Sequence, residues 1–321
     1  MLDKVFIDGL SFAAPLLVMA IGAIYSEKSG VTNLAVEGFQ GFGAFVGALV
    51  AVILMPTMGD GSQAVIYIAM LAAFIGGGIY ACIHALLCVK FRANQVISGV
   101  VVNILAVALT TFLTTAMNKA LTGGQSSNKF ILGISDRFDI PGLSQIPVIG
   151  ALFQNMYPFE WIILAIAVVS WYLMYKTRFG MHLRACGDNP QSVDAAGGNV
   201  ERTRFIAVML SGALSGVGGI CFAYSISANF SPNIYMGYGY LAIAAMIFGN
   251  WNIPFTALVC LFFGLAKSGG YQLCLNMGLP SNYSDLFMML PYILTLLLLA
   301  FFSKKNHPPA AAGEAYDKGK R

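Results

Sequence analysis

The chain has 321 residues; 58% are hydrophobic, 10% are charged, and the mean hydropathy is +0.74. A soluble domain is about 25% charged, so most of this surface cannot face water, and its natural solvent is lipid. The formal net charge is +4, and no nucleic-acid polymer is expected as a partner.

Apolar segments fall at about 5–25, 38–55, 63–89, 95–117, 159–175, 204–226, 238–250, 254–270 and 284–302. A bilayer span needs about 20 mostly apolar residues. Backbone polar groups in lipid must be satisfied within the segment, so these segments read as helices. The alternating pattern of a membrane barrel is absent. The expected fold is an all-α polytopic membrane protein of about nine transmembrane helices, some short, broken or re-entrant. Residues 1–302 form its single transmembrane domain. The first run is long enough for a span and reads as a retained helix rather than a cleaved leader.

The stretch SEKSGVTNLAVEGFQGFGAF (26–45) leads into the second segment. Glu37 at its mouth has two readings: an anion favouring a helix N-terminus, or a gating group that pairs in one state only. Gly43 with Gly47, and later Gly212 with Gly216, form small-xxx-small faces that let helices approach closely in lipid. The fourth segment carries a mid-span amide, Asn103, which needs a partner. Residues 118–158 form a long loop whose IPGLSQIPVIG (140–150) predicts re-entrant or irregular structure.

Residues 176–204, KTRFGMHLRACGDNPQSVDAAGGNVERTR, join two spans. Within them QSVDAAGG predicts a short helix with Asn189 or Asp188 as cap, Pro190 in its first turn and Gly197–Gly198 ending it. Such a capped helix among basic residues suits docking into a partner's groove. The segment 238–250 is too short for a full span, and Asn250, Asn252 and Pro254 break it, a device that transporters use beside a cavity. The polar tail 303–321, rich in proline and alanine at its start, is expected to be disordered.

The loops at 26–37, 90–94 and 176–204 and the tail hold most of the 18 basic residues: Lys28, Lys90, Arg92, Lys176, Arg178, Arg184, Arg202, Arg204, Lys304, Lys305, Lys318, Lys320 and Arg321. The positive-inside rule makes that side cytoplasmic, with the C-terminus inside and the N-terminus outside.

Ionisable residues in or near spans are few: Asp8, Glu37, His84, Glu160, Lys267 and Asp285. Only His84 lies deep, and a lone histidine there reads first as a hydrogen-bonded packing residue. No HExxH or nucleophile–base set is present, and GLAKS (264–268) lacks the glycine-rich lead of a phosphate loop. No catalytic residues and no metal site are expected. The cysteines at 82, 88, 186, 221, 260 and 274 form no CxxC pair and read as small core residues.

Several stretches carry a resemblance. FGMHLRACGDNPQSVDAAGGNVERTRFIAVMLSGALSGVGG (179–219) resembles the permease subunits of bacterial ABC importers for simple sugars, nucleosides and branched-chain amino acids. SEKSGVTNLAVEG (26–38), ANQVISGVVVNILAVALTTFL (93–113) and GYGYLAIAAMIFGNWNIPFTALVCLFFGLAKS (237–268) are similar to the nucleoside branch. Where that family more often has Gly-Arg-Gly, this chain has Tyr238 in the middle. The resemblance implies ATP-driven nucleoside import across the bacterial cytoplasmic membrane. It implies an ATPase subunit that holds ATP and Mg, a second and longer permease, and an extracytoplasmic substrate-binding lipoprotein. This chain itself would hold no cofactor. The residues implied for ATPase coupling are Arg184, Gly187, Asp188, Asn189, Pro190, Asp194 and Gly197. For a substrate with hydroxyls and a flat base, the pathway candidates are Asn103, Tyr80, Phe112, Phe222 and Tyr240, with Asn33 and Glu37 for gating or the helix start. The alternatives are a sugar permease of the ribose or galactose type, or an ion-coupled carrier.

Overall fold

A computed structural model describes residues 2–59, 61–121, 127–142, 144, 150, 153–233, 236–280, 283–302 and 306–318. The chain runs through α1 (Leu2–Lys28), α2 (Val36–Met58), α3 (Gln63–Ala85) and α4 (Gln95–Leu121). It continues through α5 (Pro158–Lys176), α6 (Arg178–Asp188), α7 (Pro190–Ala195) and α8 (Val200–Phe222). It ends with α9 (Tyr238–Phe248), α10 (Ile253–Asn276), α11 (Ser284–Met288) and α12 (Leu290–Phe302). One π-helical turn, Leu86–Lys90, prolongs α3, and another, Ala223–Ser227, prolongs α8.

Among the described residues seven helices are long and apolar enough to cross a membrane: α1, α2, α3 with its extension, α4, α5, α8 with its extension, and α10. The remaining two of the nine expected segments form shorter apolar helices, Tyr238–Phe248 and Leu286–Leu297. The break after α9 follows the sequence reading. Asn250 and Trp251 take left-handed backbone angles, and the Asn252 side chain then accepts from the Phe255 N–H at the start of α10.

Helix α8 is the most buried span. In lipid no hydrophobic force separates packed from unpacked helices, so close backbone approach and dispersion must hold the bundle. The glycine faces provide this. A Cβ on Gly216 would sit 3.1 Å from the Gly43 Cα, and one on Gly77 would sit 3.2 Å from the Gly216 Cα. The seam of α2, α3 and α8 is thus built on missing side chains.

The fold is not wholly helical. Strands β1 (Phe130–Ile131) and β2 (Asn229–Phe230) pair antiparallel, and Phe130 and Phe230 pack with Phe45 at ring separations of 6.1–6.3 Å. Most of the stretch 127–142 is irregular, neither helix nor strand, and the Asn118 amide ties it down by donating to the Lys129 carbonyl at 2.8 Å. Residues 143 and 145–149 of IPGLSQIPVIG, and the side chain of Asp285, lie outside the described residues.

The expectation of a disordered tail is corrected for residues 306–318. The Ala311 N–H donates to the Gly187 carbonyl at 2.8 Å, and the Gly313 N–H to the Gly30 carbonyl at 3.2 Å. Arg92 pairs with Asp317 at 3.2 Å, and Lys318 with Asp194 at 3.5 Å. Backbone donors fasten this strap, with Tyr316 packed on the Cys186–Val193–Val200 cluster, and a polar composition concealed it. Lys304, Lys305, Lys320 and Arg321 lie outside the described residues. The segments rich in Lys and Arg therefore meet at one end of the bundle, where Lys90 also pairs with Glu201 at 2.5 Å.

Gly216→Val is expected to cost about 1–3 kcal/mol by overpacking and to lower the unfolding midpoint of the protein in detergent. An unchanged midpoint would contradict the close seam.

Candidate functional site

The site begins where α1 turns into α2. Gly30, at φ +91°, ends the first helix. Buried Asn33 then fixes the turn: its Oδ1 accepts from the Ala35 N–H at 2.9 Å, and its Nδ2 donates to Ser211 Oγ at 2.9 Å. Its own N–H donates to Glu27 Oε1 at 3.2 Å. This leaves Glu37 in the first turn of α2.

Glu37 reaches a different helix. Its Oε1 accepts from the Gly237 N–H at 2.5 Å and its Oε2 from the Gly239 N–H at 2.7 Å, both at the start of α9. A carboxylate on the free N–H groups of a helix N-terminus is favoured by hydrogen bonding and by the helix dipole. The glycines make room: Gly237 has φ +100°, and a Cβ on Gly239 would lie 2.6 Å from the Glu37 Cα.

Asn103 completes the junction. Its Oδ1 accepts from the Gly38 N–H at 2.7 Å, and its Nδ2 donates to the Leu34 carbonyl at 2.8 Å and to the Tyr240 hydroxyl at 3.0 Å. One mid-span amide thus joins α4, the start of α2, and α9. Beside it is a narrow cavity of about 20 Å³ lined by Glu37, Gln40, Asn103 and Thr110. Gln40 is 1% exposed, and among the described residues neither polar atom of its amide has a hydrogen-bond partner. Sequence reasoning missed Gln40 because it weighed ionisable groups; a glutamine inside an apolar segment was the available signal.

The other pathway candidates do not gather there. Tyr80 is buried, donates to the Val102 carbonyl at 2.7 Å and stacks on Phe42 at 4.5 Å. Phe112 is 69% exposed. Phe222 packs with Phe12 at 5.1 Å and Tyr238 at 4.9 Å. His84 bonds to Ser98 at 2.8 Å beside Cys88, as a packing histidine does. Buried Glu160 accepts from Ser11 Oγ at 2.9 Å.

At the basic end α6 and α7 form a compact unit. Thr177 Oγ1 accepts from the Gly180 N–H at the start of α6. Asn189, rather than Asp188, caps α7: its Oδ1 accepts from the Ser192 N–H at 3.1 Å. Pro190 occupies the first turn, and Gly197, at φ +81°, ends the helix. Gly187 presses on the end of α1, where a Cβ would lie 3.2 Å from the Gly30 N. Arg184 lies over the Tyr175 ring at 5.6 Å, and Asp194 pairs with Lys318 of the tail. Burial pushes the Cys186 thiol up, so it serves there as a small apolar residue.

Arg204 locks this unit to the bundle. It is 2% exposed and donates from Nε to the Ser29 carbonyl at 3.1 Å, from Nη2 to the Cys186 carbonyl at 3.3 Å, and from Nη1 to the Glu314 carbonyl at 2.7 Å. The end of α1, the end of α6 and the tail thus share one guanidinium. In the sequence Arg204 counted only as one of many loop cations.

A bundle of apolar spans, a broken helix clamped beside a polar cleft, and a rigid two-helix unit at the basic end define a polytopic membrane permease. Residues 5–299 match the family described as branched-chain amino acid transport system / permease component, and the chain belongs to that family. It is 38% identical over 320 residues to the guanosine ABC transporter permease protein NupQ of Bacillus subtilis, covering 97% of this chain and 96% of that one. It is 36% identical over 313 residues to the nucleoside ABC transporter permease protein NupC of Lactococcus lactis, with the same coverage. A second Bacillus subtilis protein, the guanosine ABC transporter permease protein NupP, is 25% identical over 85% of this chain and 75% of its own length. No solved structure matches.

Glu37→Gln replaces one acceptor oxygen with an NH₂ facing an N–H donor. Losing a hydrogen bond to a charged group costs about 1.5–3 kcal/mol, so a lower unfolding midpoint and a lower yield of assembled complex are expected. A variant that assembles at the wild-type midpoint yet fails to transport would assign the carboxylate to gating instead.

Proposed function

We propose that the chain imports nucleosides, purine nucleosides among them, as the shorter permease of a heteromeric ATP-driven complex in the bacterial cytoplasmic membrane. The observation that carries this reading is the near full-length similarity to permeases named for guanosine and nucleoside transport. The match to NupP, a second permease from the same organism as NupQ, supports a second, different permease as partner. ATP and Mg belong to an ATPase subunit, and an extracytoplasmic lipoprotein delivers the substrate.

In this reading the basic end faces the cytoplasm. The ATPase receives α7 in a groove. Asn189, Pro190 and Gly197 keep α7 rigid, Gly187 and Arg204 carry its motion to α1 and α8, and Arg184 and Asp194 present charge to the partner. Asp194 would exchange its Lys318 contact for one on the ATPase. Closure of the ATPase then changes the relative stability of the outward- and inward-open bundles, as differential binding requires. Along the pathway the unpartnered Gln40 amide, beside Asn103 and Glu37, offers a donor and an acceptor to the edge of a base. The cavity of about 20 Å³ there is smaller than a nucleoside, so the pathway is closed at this level and opens in another state.

Cells expressing the complete complex should take up labelled guanosine, with competition by excess adenosine and none by ribose or leucine. Uptake of ribose without guanosine would move the chain to the sugar permeases.

A further inference from the structure

At the end opposite the basic one, a cavity of about 410 Å³ opens between α1, α10 and the π-helical turn Ala223–Ser227. Its volume lies in the range of small-molecule sites, about 300–1,000 Å³. Asp8 and Arg137, both exposed, stand at its mouth. Lys267, Ser268 and Tyr271 line it from α10, where a spacing of three and four residues puts Tyr271 on the same face as the other two.

Two features of the lining are unexplained by packing. The Ser225 and Ser268 hydroxyls are both buried, and among the described residues neither has a hydrogen-bond partner; Ser268 is 6% exposed. Burying a hydroxyl without a partner is unfavourable, and here two of them belong to residues that line one cavity, each within a side-chain rotation of it. The cation above them is held in place: the Lys267 ammonium lies 4.0 Å from the Phe12 ring centre and 4.2 Å from that of Tyr238, and it donates to the Tyr238 hydroxyl. Those two rings are engaged by the ammonium, whereas Tyr271, 38% exposed at the rim, keeps a free aromatic surface. The lining carries one acceptor, Asp8, and two donors, the Lys267 ammonium and Arg137, which also donates to the Tyr157 hydroxyl at 2.5 Å, so it offers both kinds of partner to a ligand bearing hydroxyls.

We propose that this cavity is a receiving subsite for the nucleoside, with the ribose hydroxyls on Ser225 and Ser268 and the base against Tyr271. The proposal rests on the nucleoside reading above and adds a location and a recognised group to it. It also places this subsite and the Gln40–Asn103 cleft on either side of the start of α9. Tyr238 lines the outer cavity, and Met236 together with Glu37 lines the inner cleft.

The test compares uptake of guanosine with that of 2′-deoxyguanosine and 3′-deoxyguanosine by the complete complex in proteoliposomes. Discrimination by the binding protein is common to wild type and variants and cancels in the ratio. Ser225→Ala and Ser268→Ala should each reduce the preference for guanosine over one deoxy analogue by about fivefold, the value of one hydrogen bond. Tyr271→Leu, at an exposed position that does not threaten folding, should lower uptake of all three nucleosides alike. Variants that transport at the wild-type rate with unchanged ratios would overturn the subsite and leave the nucleoside reading intact. A wild-type complex that carries no guanosine would overturn that reading itself. If Ser268→Ala prevents assembly, Ser225→Ala and Tyr271→Leu decide the matter.

Discussion

A carboxylate placed among apolar helices must find donors within the protein, because lipid supplies none. Glu37 finds them in the N–H groups of Gly237 and Gly239. This one contact sets the position of a short helix that is too short to hold itself across the membrane. From it follow the need for glycine on both sides of Tyr238, the reach of Asn103 to Tyr240, and the placing of two cavities on either side of the α9 start. The interaction is local in space and 200 residues apart in sequence, so it binds the first third of the chain to the last.

At the other end of the molecule a cation has the corresponding role. Arg204 satisfies the carbonyl groups left by the ends of α1 and α6 and by the tail. Carbonyls at a helix C-terminus have no intrahelical donor, and a buried guanidinium with its fork of N–H groups can serve several at once. Helix α7 is therefore not a loose loop. It is braced by Asn189, seated on a small apolar core of Cys186, Val193 and Val200, and held from outside by the tail. A push on α7 meets a rigid body continuous with α1 and α8, which is the mechanical condition for coupling at a distance.

What could be read from the sequence was what local chemistry determines. The α7 cap was legible because Asn-Pro followed by Gly-Gly specifies start and stop within ten residues. The glycine seam was legible because its spacing of four repeats on two helices, and the break at Asn250–Asn252 because those residues and a following proline, which opens α10, mark a helix stop and start. For Glu37 the sequence offered an anion at a helix start or a gating group, and it could not name the partner, because whether the carboxylate meets its own helix or another depends on tertiary packing. Gln40 was passed over because an uncharged amide attracts less notice than a charge, although in lipid its cost when unpaired is similar in origin. The strap 306–318 was illegible for a different reason, since its hydrogen bonds use backbone atoms at Gly30 and Gly187 that leave no side-chain signature. The two π-helical turns and the β1–β2 pair were hidden likewise, being set by neighbours rather than by their own residues.

The central claim is that this chain moves its substrate only when an ATPase acts on its basic end. Proteoliposomes test it directly, with labelled guanosine outside and either this chain alone or the complex of both permeases, ATPase and binding protein in the bilayer. The expected result is uptake by the complete complex when ATP is present at the ATPase, and none by this chain alone under a proton or sodium gradient. Accumulation by the isolated chain under an ion gradient without ATP would contradict the claim and make it an ion-coupled carrier.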